Sequence, residues 1–413
     1  MTANTITWTG AVSSDWDNPA NWNPATVPAA GDIVVVNSGN ITVPPSAAFA
    51  VLNLNGGILS GTPNVIGTMN WAGGYVSAQI TVAPGSTLNI NGSGDRILRG
   101  GNITNLGTVV WTGNGSLVGD LDFGSVAIVN AAGALFDTQG DGAFNATATF
   151  VATLFSETYA FSNAGVFRKS AGTGNTTFGL CTMFTNTGTV EVQSGTLNFA
   201  AGYTQTSGIT ILSGGGLASG STIYINGGAL TGSGTINGPV FNAALLSPGS
   251  SPGTLTINGY YTQTASGELQ MELAGLTPGE FDRLVVNGQA TLAGTLKVTL
   301  LNGLTPALGD AFPILSFGSR SSTFAEYHST AIRLNVANLI GGVQTNTFGL
   351  AAALGPLELH FPVGPPQAYR FQASTNLVDW MDLSTNTPVN DVFRFVDPDA
   401  IGINHRFYRA VSP

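Results

Sequence analysis

"TNLGTVVW" (104–111), "SNAGVFRK" (162–169) and "TNTGTVEV" (185–192) each place an Asn-x-Gly tripeptide in front of an apolar strand pattern. A relative, "VNAAGALFD", begins at Val129. The glycines fall at positions 107, 133, 165 and 188, so the unit recurs after 26, 32 and 23 residues. An irregular period of about 20–30 residues is typical of solenoid coils, which bury their apolar faces only by stacking on neighbours.

The composition favours strands over helices throughout the chain. Only 8% of the residues are charged, only two are lysines, and 56 of 413 are glycine. Exposed helix faces need charged and long side chains, whereas Thr, Ser, Asn and Val suit strands and tight turns. We therefore expect an all-β protein with a right-handed parallel β-helix at residues 31–260. Each coil should have about three short strands, with Gly and Asn supplying positive φ angles at the corners.

Three tryptophans, Trp8, Trp16 and Trp22, precede the first strand pattern, "DIVVVNSG" (32–39). A stack of coils has open edges at its ends, which recruit other chains unless they are covered. We interpret residues 1–30 as a Trp-rich cap over the first coil. A platform on which sugars stack is the alternative interpretation of these rings.

Glycine content marks a second boundary near the carboxyl end. Residues 356–413 contain only two glycines, against 54 in the first 355 residues. We expect residues 356–413 to form a small C-terminal β module of four or five strands. Its expected core is Trp380, Phe393, Phe395, Phe407 and Tyr408. Residues 261–355 then form either the C-terminal end of the solenoid or a sandwich-like region with antiparallel strands.

Charge and motif content limit the classes of partner. A net charge of −10 and a pI near 4.5 disfavour nucleic acid and anionic lipid. Apolar runs stay short of the ~18 residues of a membrane helix, so we expect no membrane insertion. Cys181, with apolar neighbours in "FGLCTMF", is interpreted as a small core residue. Met1 is followed by "TANTITW", which does not resemble a signal peptide, so export is expected to need a leader outside this sequence.

Acidic and basic residues gather in one stretch of the repeats. Asp120, Asp122, Asp137, Asp141 and Glu157 precede Arg168 and Lys169, and two or three neighbouring coils could bring them together. If the chain is an enzyme, we expect Asp137 and Asp141 to act as acid or base, with Arg168 or Lys169 contacting an acidic sugar. If it binds calcium, the four aspartates are the candidate ligands.

Ordinary turn chemistry is the interpretation that we favour for these aspartates, since Asp is common at such corners. His328, His360 and His405 lie outside the repeats in unrelated contexts, and no nucleophile motif accompanies them. We expect no cofactor.

Residues 5–318 resemble a group of secreted bacterial β-helix proteins. The resemblance rests on "TWTG…SSDWDNPANWNP" (7–24), "GVFRKSAGTGNTTFG" (165–179) and "LLSPGSSPGTLTINGYYTQTASGELQMEL" (245–273) followed by "FDRLVVNG" (281–288). These are autotransporter-passenger-like and adhesin-like surface proteins of the Verrucomicrobia and Planctomycetes type. Residues 356–413 are similar to a small β module on secreted proteins of the same bacteria.

The resemblance implies a secreted or cell-surface protein with a structural or adhesive role. We expect a non-catalytic protein, because its repetitive polar faces suit weak multivalent contacts with polysaccharide or with further copies of the chain. The alternative is a polysaccharide lyase or glycoside hydrolase that acts on the lateral face of the β-helix.

Overall fold

The computed structural model describes residues 3–149, 157–306, 310–329, 334–335, 347–352, 357–362, 368–387, 392–397 and 406–411. Within them the only helices are two 3-10 turns, Pro19–Asn21 and Leu121–Phe123. None of the helices in this part of the chain is long and apolar enough to cross a bilayer. The chain divides into two compact units, one with residues 1–304, 313–330 and 339–349, the other with the remainder.

The larger unit is a parallel β-solenoid whose coils build three ladders of strands. In ladder 1, Thr108 pairs with Leu135, Leu135 with Val166 and Val166 with Thr189, which are steps of 27, 31 and 23 residues. These steps agree to within one residue with the spacing of 26, 32 and 23 residues between Gly107, Gly133, Gly165 and Gly188, which precede these strands. The expected repeat, with about three strands per coil, is confirmed.

The strands of each ladder follow one another along the solenoid in chain order. Ladder 1 contains Thr5–Trp8, Ile33–Val36, Val51–Leu54, Thr68–Trp71, Thr87–Ile90, Thr108–Trp111, Leu135–Thr138, Val166–Lys169, Thr189–Val192, the first halves of Ile209–Ser219 and Ala229–Asn237, Leu245–Pro248, Glu268–Leu273, Thr295–Leu300 and Glu326–Ser329. Ladder 2 contains Asn40–Val43, Ile58–Gly61, Tyr75–Val76, Arg96–Leu98, Leu117–Asp120, Ala143–Thr147, Asn175–Phe178, Thr196–Phe199, the second halves of Ile209–Ser219 and Ala229–Asn237, Thr254–Asn258, and the first parts of Arg283–Leu292 and Ala311–Ser322. Ladder 3 contains Asn64–Val65, Gln79–Val82, Asn102–Asn105, Val126–Asn130, Tyr159–Asn163, Thr182–Asn186, Tyr203–Gln205, Ile223–Ile225, Val240–Asn242, Tyr261–Gln263, and the last parts of Arg283–Leu292 and Ala311–Ser322.

Parallel pairing continues well past residue 260. Thr254–Asn258 pairs in parallel with Arg283–Leu292, which pairs in parallel with residues 315–322. Of the two alternatives for residues 261–355, these strands fit the end of the solenoid, and the antiparallel arrangement is wrong for them. Asn287 and Gly288 lie at the corner where one strand passes from ladder 2 to ladder 3.

The corner glycines are needed for close approach of the backbone. A Cβ atom on Gly107, Gly165 or Gly188 would lie 2.3–2.4 Å from a carbonyl oxygen of the preceding coil. None of these three has a positive φ, whereas Gly133 does, at 82°. The expectation that such corners demand a positive φ is thus wrong for three of the four repeats. At these three, glycine is required because a side chain would clash with the preceding coil.

Aromatic rings fill the middle of the solenoid interior. Phe144, Phe178 and Phe199 occupy one column of ladder 2, with ring centroids 4.4 and 4.8 Å apart and nearly parallel planes. All three are buried. Stacked large rings fill an interior at high density.

The smaller unit contains antiparallel pairs. Leu357–Pro362 pairs with Val392–Asp397, and Tyr369–Ser374 pairs with both Met381–Asn386 and Phe407–Val411. In addition, residues 334–335 pair with residues 351–352, within Leu334–Asn335 and Thr347–Ala352. This unit reaches back before residue 356, the boundary expected from glycine content.

The buried side chains of this unit differ from the expected core. Tyr369, Phe371 and Ala373 of the central strand are buried. Phe407 is 38% exposed and Tyr408 is half-buried, because they lie on an outer strand. Trp380 is half-buried under the guanidinium of Arg409, whose Cζ lies 4.0 Å from the ring centroid. The side chains of Phe393 and Phe395 lie outside the described residues.

Cys181 is exposed, so the interpretation as a core residue is wrong. It lies at the corner before Thr182–Asn186, beside Leu180, which is 77% exposed. Apolar neighbours in the sequence do not imply burial at a corner, because side chains there can point away from the interior.

Candidate functional site

Asp137 and Arg168 face each other across neighbouring strands of ladder 1. The guanidinium donates two hydrogen bonds of 3.1 Å, from Nε to Oδ1 and from Nη2 to Oδ2 of Asp137. Gln139 donates a third, of 2.9 Å, to Oδ2. Glu191 follows Arg168 in the next coil, so negative and positive side chains alternate along this column. Alternation removes the repulsion that stacked like charges would create.

Lys169 points the opposite way, into the solenoid, and its side chain is fully buried. Its Nζ donates hydrogen bonds to Asp141 Oδ1 at 2.9 Å, to the Gly140 carbonyl at 2.8 Å and to Thr176 Oγ1 at 3.0 Å. The other oxygen of Asp141 accepts the backbone N–H of Gly174 at 3.0 Å. This pair therefore links residues 140–141 of one coil to Lys169 and residues 174–176 of the next coil.

Both carboxylates are held in the ionised form. Burial by itself would raise the pKa of Asp137, but hydrogen bonds from Arg168, Gln139 and Ser170 bring it below the ordinary value. Burial opposes a similar lowering of the pKa of Asp141, which comes from Lys169 and the N–H of Gly174. A general acid needs a raised pKa. The lowered pKa disfavours the acid role, and all four carboxylate oxygens already accept hydrogen bonds from protein groups, which leaves them poorly placed to act as bases.

The remaining acidic candidates have separate partners. Asp120 contacts Arg99, whose Nε lies 3.3 Å from Oδ2. Asp122 accepts the backbone N–H of Thr149 at 2.8 and 3.0 Å, and Glu157 accepts the hydroxyl of Ser125.

The four aspartates proposed as calcium ligands are not gathered into one site. Across the described ranges, no group of three or more His, Cys, Asp or Glu side chains could hold a metal ion. Asp137 lies on an outer face of ladder 1, while Asp120 ends a strand of ladder 2. The register of the coils therefore separates carboxylates that are close in sequence.

His328 does not join this region. His328 is exposed in Glu326–Ser329, where its Nε2 lies 3.4 Å from Glu326 Oε2. The side chain of His360 and all of His405 lie outside the described residues.

Trp8, Trp16 and Trp22 form a compact cluster at the amino-terminal end of the solenoid. They are 4%, 1% and 3% exposed, so none offers a ring face to a ligand. Trp22 packs edge-to-face on both other rings, with centroids 4.8 Å apart in each pair. Its Nε1 donates to the Trp16 carbonyl at 2.7 Å, and Trp16 also contacts Phe49. This burial supports the cap interpretation over the sugar platform.

A ladder of buried asparagines runs along the corners between ladders 3 and 1. Asn105 donates to Asn130 at 2.8 Å, Asn130 to Asn163 at 2.7 Å and Asn163 to Asn186 at 2.8 Å, each from Nδ2 to Oδ1. The second amide hydrogens satisfy backbone carbonyls of the following coil, as Asn163 does with Thr189 at 2.9 Å. The Asn-x-Gly repeat was the signal for this ladder, although it indicated only a turn.

A second feature that the sequence did not indicate is the buried carboxyl of Asp282. It is 0% exposed and lies where "FDRLVV" begins. Its two oxygens each accept a backbone N–H at 2.8 Å, one from Gly253 and one from Glu272. Burial, aided by the charge of Glu272, raises the pKa of Asp282 to about 7, against the effect of the two N–H groups.

Asp282 makes the stability of the solenoid depend on pH. Its pKa in the folded state exceeds the ordinary value of 3.8, so the folded state binds this proton more tightly than the unfolded chain. The resulting stabilisation is present at low pH and is lost as the pH rises through 7. The opposite contributions of Asp137 and Asp141 vanish only as the pH falls below about 4. We expect the melting temperature to be several degrees higher at about pH 5 than at about pH 8.

Thermal unfolding followed by circular dichroism at several pH values measures this difference. Asp282→Asn should melt at a temperature that is nearly independent of pH over the same range. An equally steep dependence in the variant would show that other groups cause it.

The outer face of ladder 3 carries an aromatic pair. Tyr224 and Phe241 are neighbours in one column, with centroids 5.5 Å apart, and Tyr224 is 40% exposed. Thr204 and Thr262 continue the column on either side. The column thus exposes uncharged hydroxyl and aromatic groups at the ~4.8 Å spacing of parallel strands.

No protein-family model matches this chain, and no curated protein matches its sequence.

Proposed function

We propose that this chain is a non-catalytic, adhesin-like structural element of a secreted or cell-surface bacterial protein. It would be a right-handed parallel β-helix that carries a small C-terminal β module. Repeated weak contacts along its lateral faces would bind polysaccharide or further copies of the chain, since many weak contacts on one rigid body give high avidity. The resemblance of residues 5–318 to secreted β-helix proteins supports this proposal.

The internal pairing of the charged candidates carries the proposal. Asp137 with Arg168 and Asp141 with Lys169 are hydrogen-bonded ion pairs between coils. The rest of the outer columns present mainly Thr, Asn and Ser, as in Thr68, Thr87 and Thr108 of ladder 1. Uncharged ladders of this kind favour neutral surfaces over nucleic acid or anionic membranes as partners.

The competing function is a polysaccharide lyase or glycoside hydrolase. The two are distinguished by incubating the purified chain with pectin, alginate and neutral glucans, with and without calcium. Released reducing ends or unsaturated products measure catalysis, and co-sedimentation with the polysaccharide or with itself measures association. We expect association without products. Product release that scales with the amount of folded protein, and that a heat-unfolded sample lacks, would contradict the proposal.

A further inference from the structure

A groove of about 570 Å³ opens on the outer face of ladder 3, near the amino-terminal end of the solenoid. Pro84 and Leu106 form part of its wall, and Leu106 is 40% exposed. The uncharged polar side chains that line it are Thr62, Asn64, Gln79 and Thr81. No charged side chain contributes to the lining.

The sequence of the two coils that begin with the strands Ile33–Val36 and Val51–Leu54, here the first and second coils, explains the groove. Where the first coil would supply a strand to ladder 3 it has Pro44 and Pro45, and proline cannot donate to a ladder. The second coil supplies only the two-residue strand Asn64–Val65. The face therefore reaches its full width only from Gln79–Val82 onward, which leaves Pro45 at one side of a recess.

Gln79 is held internally, because its amide donates to the Gly100 carbonyl and accepts from Asn102. Asn64 and Thr81, in contrast, keep hydrogen-bonding capacity that similar groups elsewhere use internally. On ladder 1, Asn70 accepts from Asn89 and donates to Asn53, both at 2.8 Å. Within the described part of the chain, the side chains of Asn64 and Thr81 make no hydrogen bond, although these residues are paired neighbours. A half-exposed amide and hydroxyl with free donors and acceptors, beside an apolar wall, match the hydroxyl groups and C–H faces of a sugar.

We propose that this groove binds a strand of neutral polysaccharide. The inference rests on the proposed function, and it adds the class of ligand and its location. The lining has no charged group that could pair with an acidic sugar. Burying such a sugar here would therefore remove its hydration without providing an ion pair in exchange. Hydroxyl groups of a neutral chain would instead pair with the amide and hydroxyl groups of the floor.

Affinity electrophoresis in gels that contain soluble neutral glycans (mannan, mixed-linkage glucan and xyloglucan) or alginate tests the proposal. The double variant Asn64→Ala with Thr81→Val should weaken retardation by a neutral glycan about tenfold or more, through the loss of several hydrogen bonds. Its melting temperature should not change, because neither side chain has an internal partner. Thr104→Val is the matched control, since Thr104 follows Thr81 in the same column but lies outside the groove.

Three results would overturn the groove as the binding site. These are retardation of the double variant equal to that of the unmodified chain, loss of binding in Tyr224→Ala alone, and binding of alginate only or of no glycan. Each leaves the proposed non-catalytic role standing, because that role fails on release of products instead.

Discussion

Replacing Trp16 with alanine is expected to lower the free energy of unfolding by about 3–5 kcal/mol, as for other buried tryptophans. Its ring is 1% exposed and contacts both Trp22 and Phe49, so the substitution leaves a cavity between the cap and the first coil. Chemical denaturation followed by tryptophan fluorescence measures the change.

Val12→Ala is the matched control within the same segment. Val12 is 66% exposed, so its truncation should change the free energy of unfolding by less than about 0.5 kcal/mol. If Trp16→Ala unfolded like the unmodified chain but no longer bound polysaccharide, these rings would be a sugar platform and the cap interpretation would fail.

Asn163→Ala is expected to lower the free energy of unfolding by about 3 kcal/mol, because it leaves buried polar groups unsatisfied. Asn163 accepts from Asn130, donates to Asn186 and donates to the carbonyl of Thr189. It lies in the middle of the asparagine ladder, so the defect affects the coil on either side.

Asn89→Ala removes a comparable hydrogen bond on the outer face of ladder 1. Asn89 is half-buried, and water can replace the 2.8 Å bond to Asn70, so we expect a loss of less than about 1 kcal/mol. Equal losses at the two positions would show that the buried amides have no special part in holding the coils together.

The lengths of the three coils between residues 107 and 188 could be predicted from the sequence, because the constraint that sets them is local. Gly107, Gly165 and Gly188 each pass within contact distance of the preceding coil, so no other residue fits and the spacing is visible in the sequence. The asparagine ladder could not be predicted in the same way. A single Asn-x-Gly unit does not show whether its amide faces water or the interior; only the register between coils aligns the four amides.

The charged candidates illustrate the same limit. Arg168 and Lys169 are consecutive in a strand, so alternation predicts opposite faces, but not which face is buried. For their partners, Asp137 and Asp141, the sequence predicted only that two or three neighbouring coils could bring them close, and not which carboxylate pairs with which base. The pairing depends on a step of 31 residues between Leu135 and Val166, which lies above the average period of the repeats. Asp282 had no sequence signal, because its two partners are backbone groups of Gly253 and Glu272.

We propose that the ion pairs Asp137–Arg168 and Asp141–Lys169 hold coils together and take no part in catalysis. Product release by the unmodified chain and by Asp141→Asn, with the stability of each protein determined in parallel, tests it most directly. Asp141→Asn leaves the fully buried Lys169 without its anion, so we expect a loss of about 2–3 kcal/mol of stability, and no product from either protein. Turnover by the unmodified chain that disappears in a variant of unchanged stability would contradict the claim.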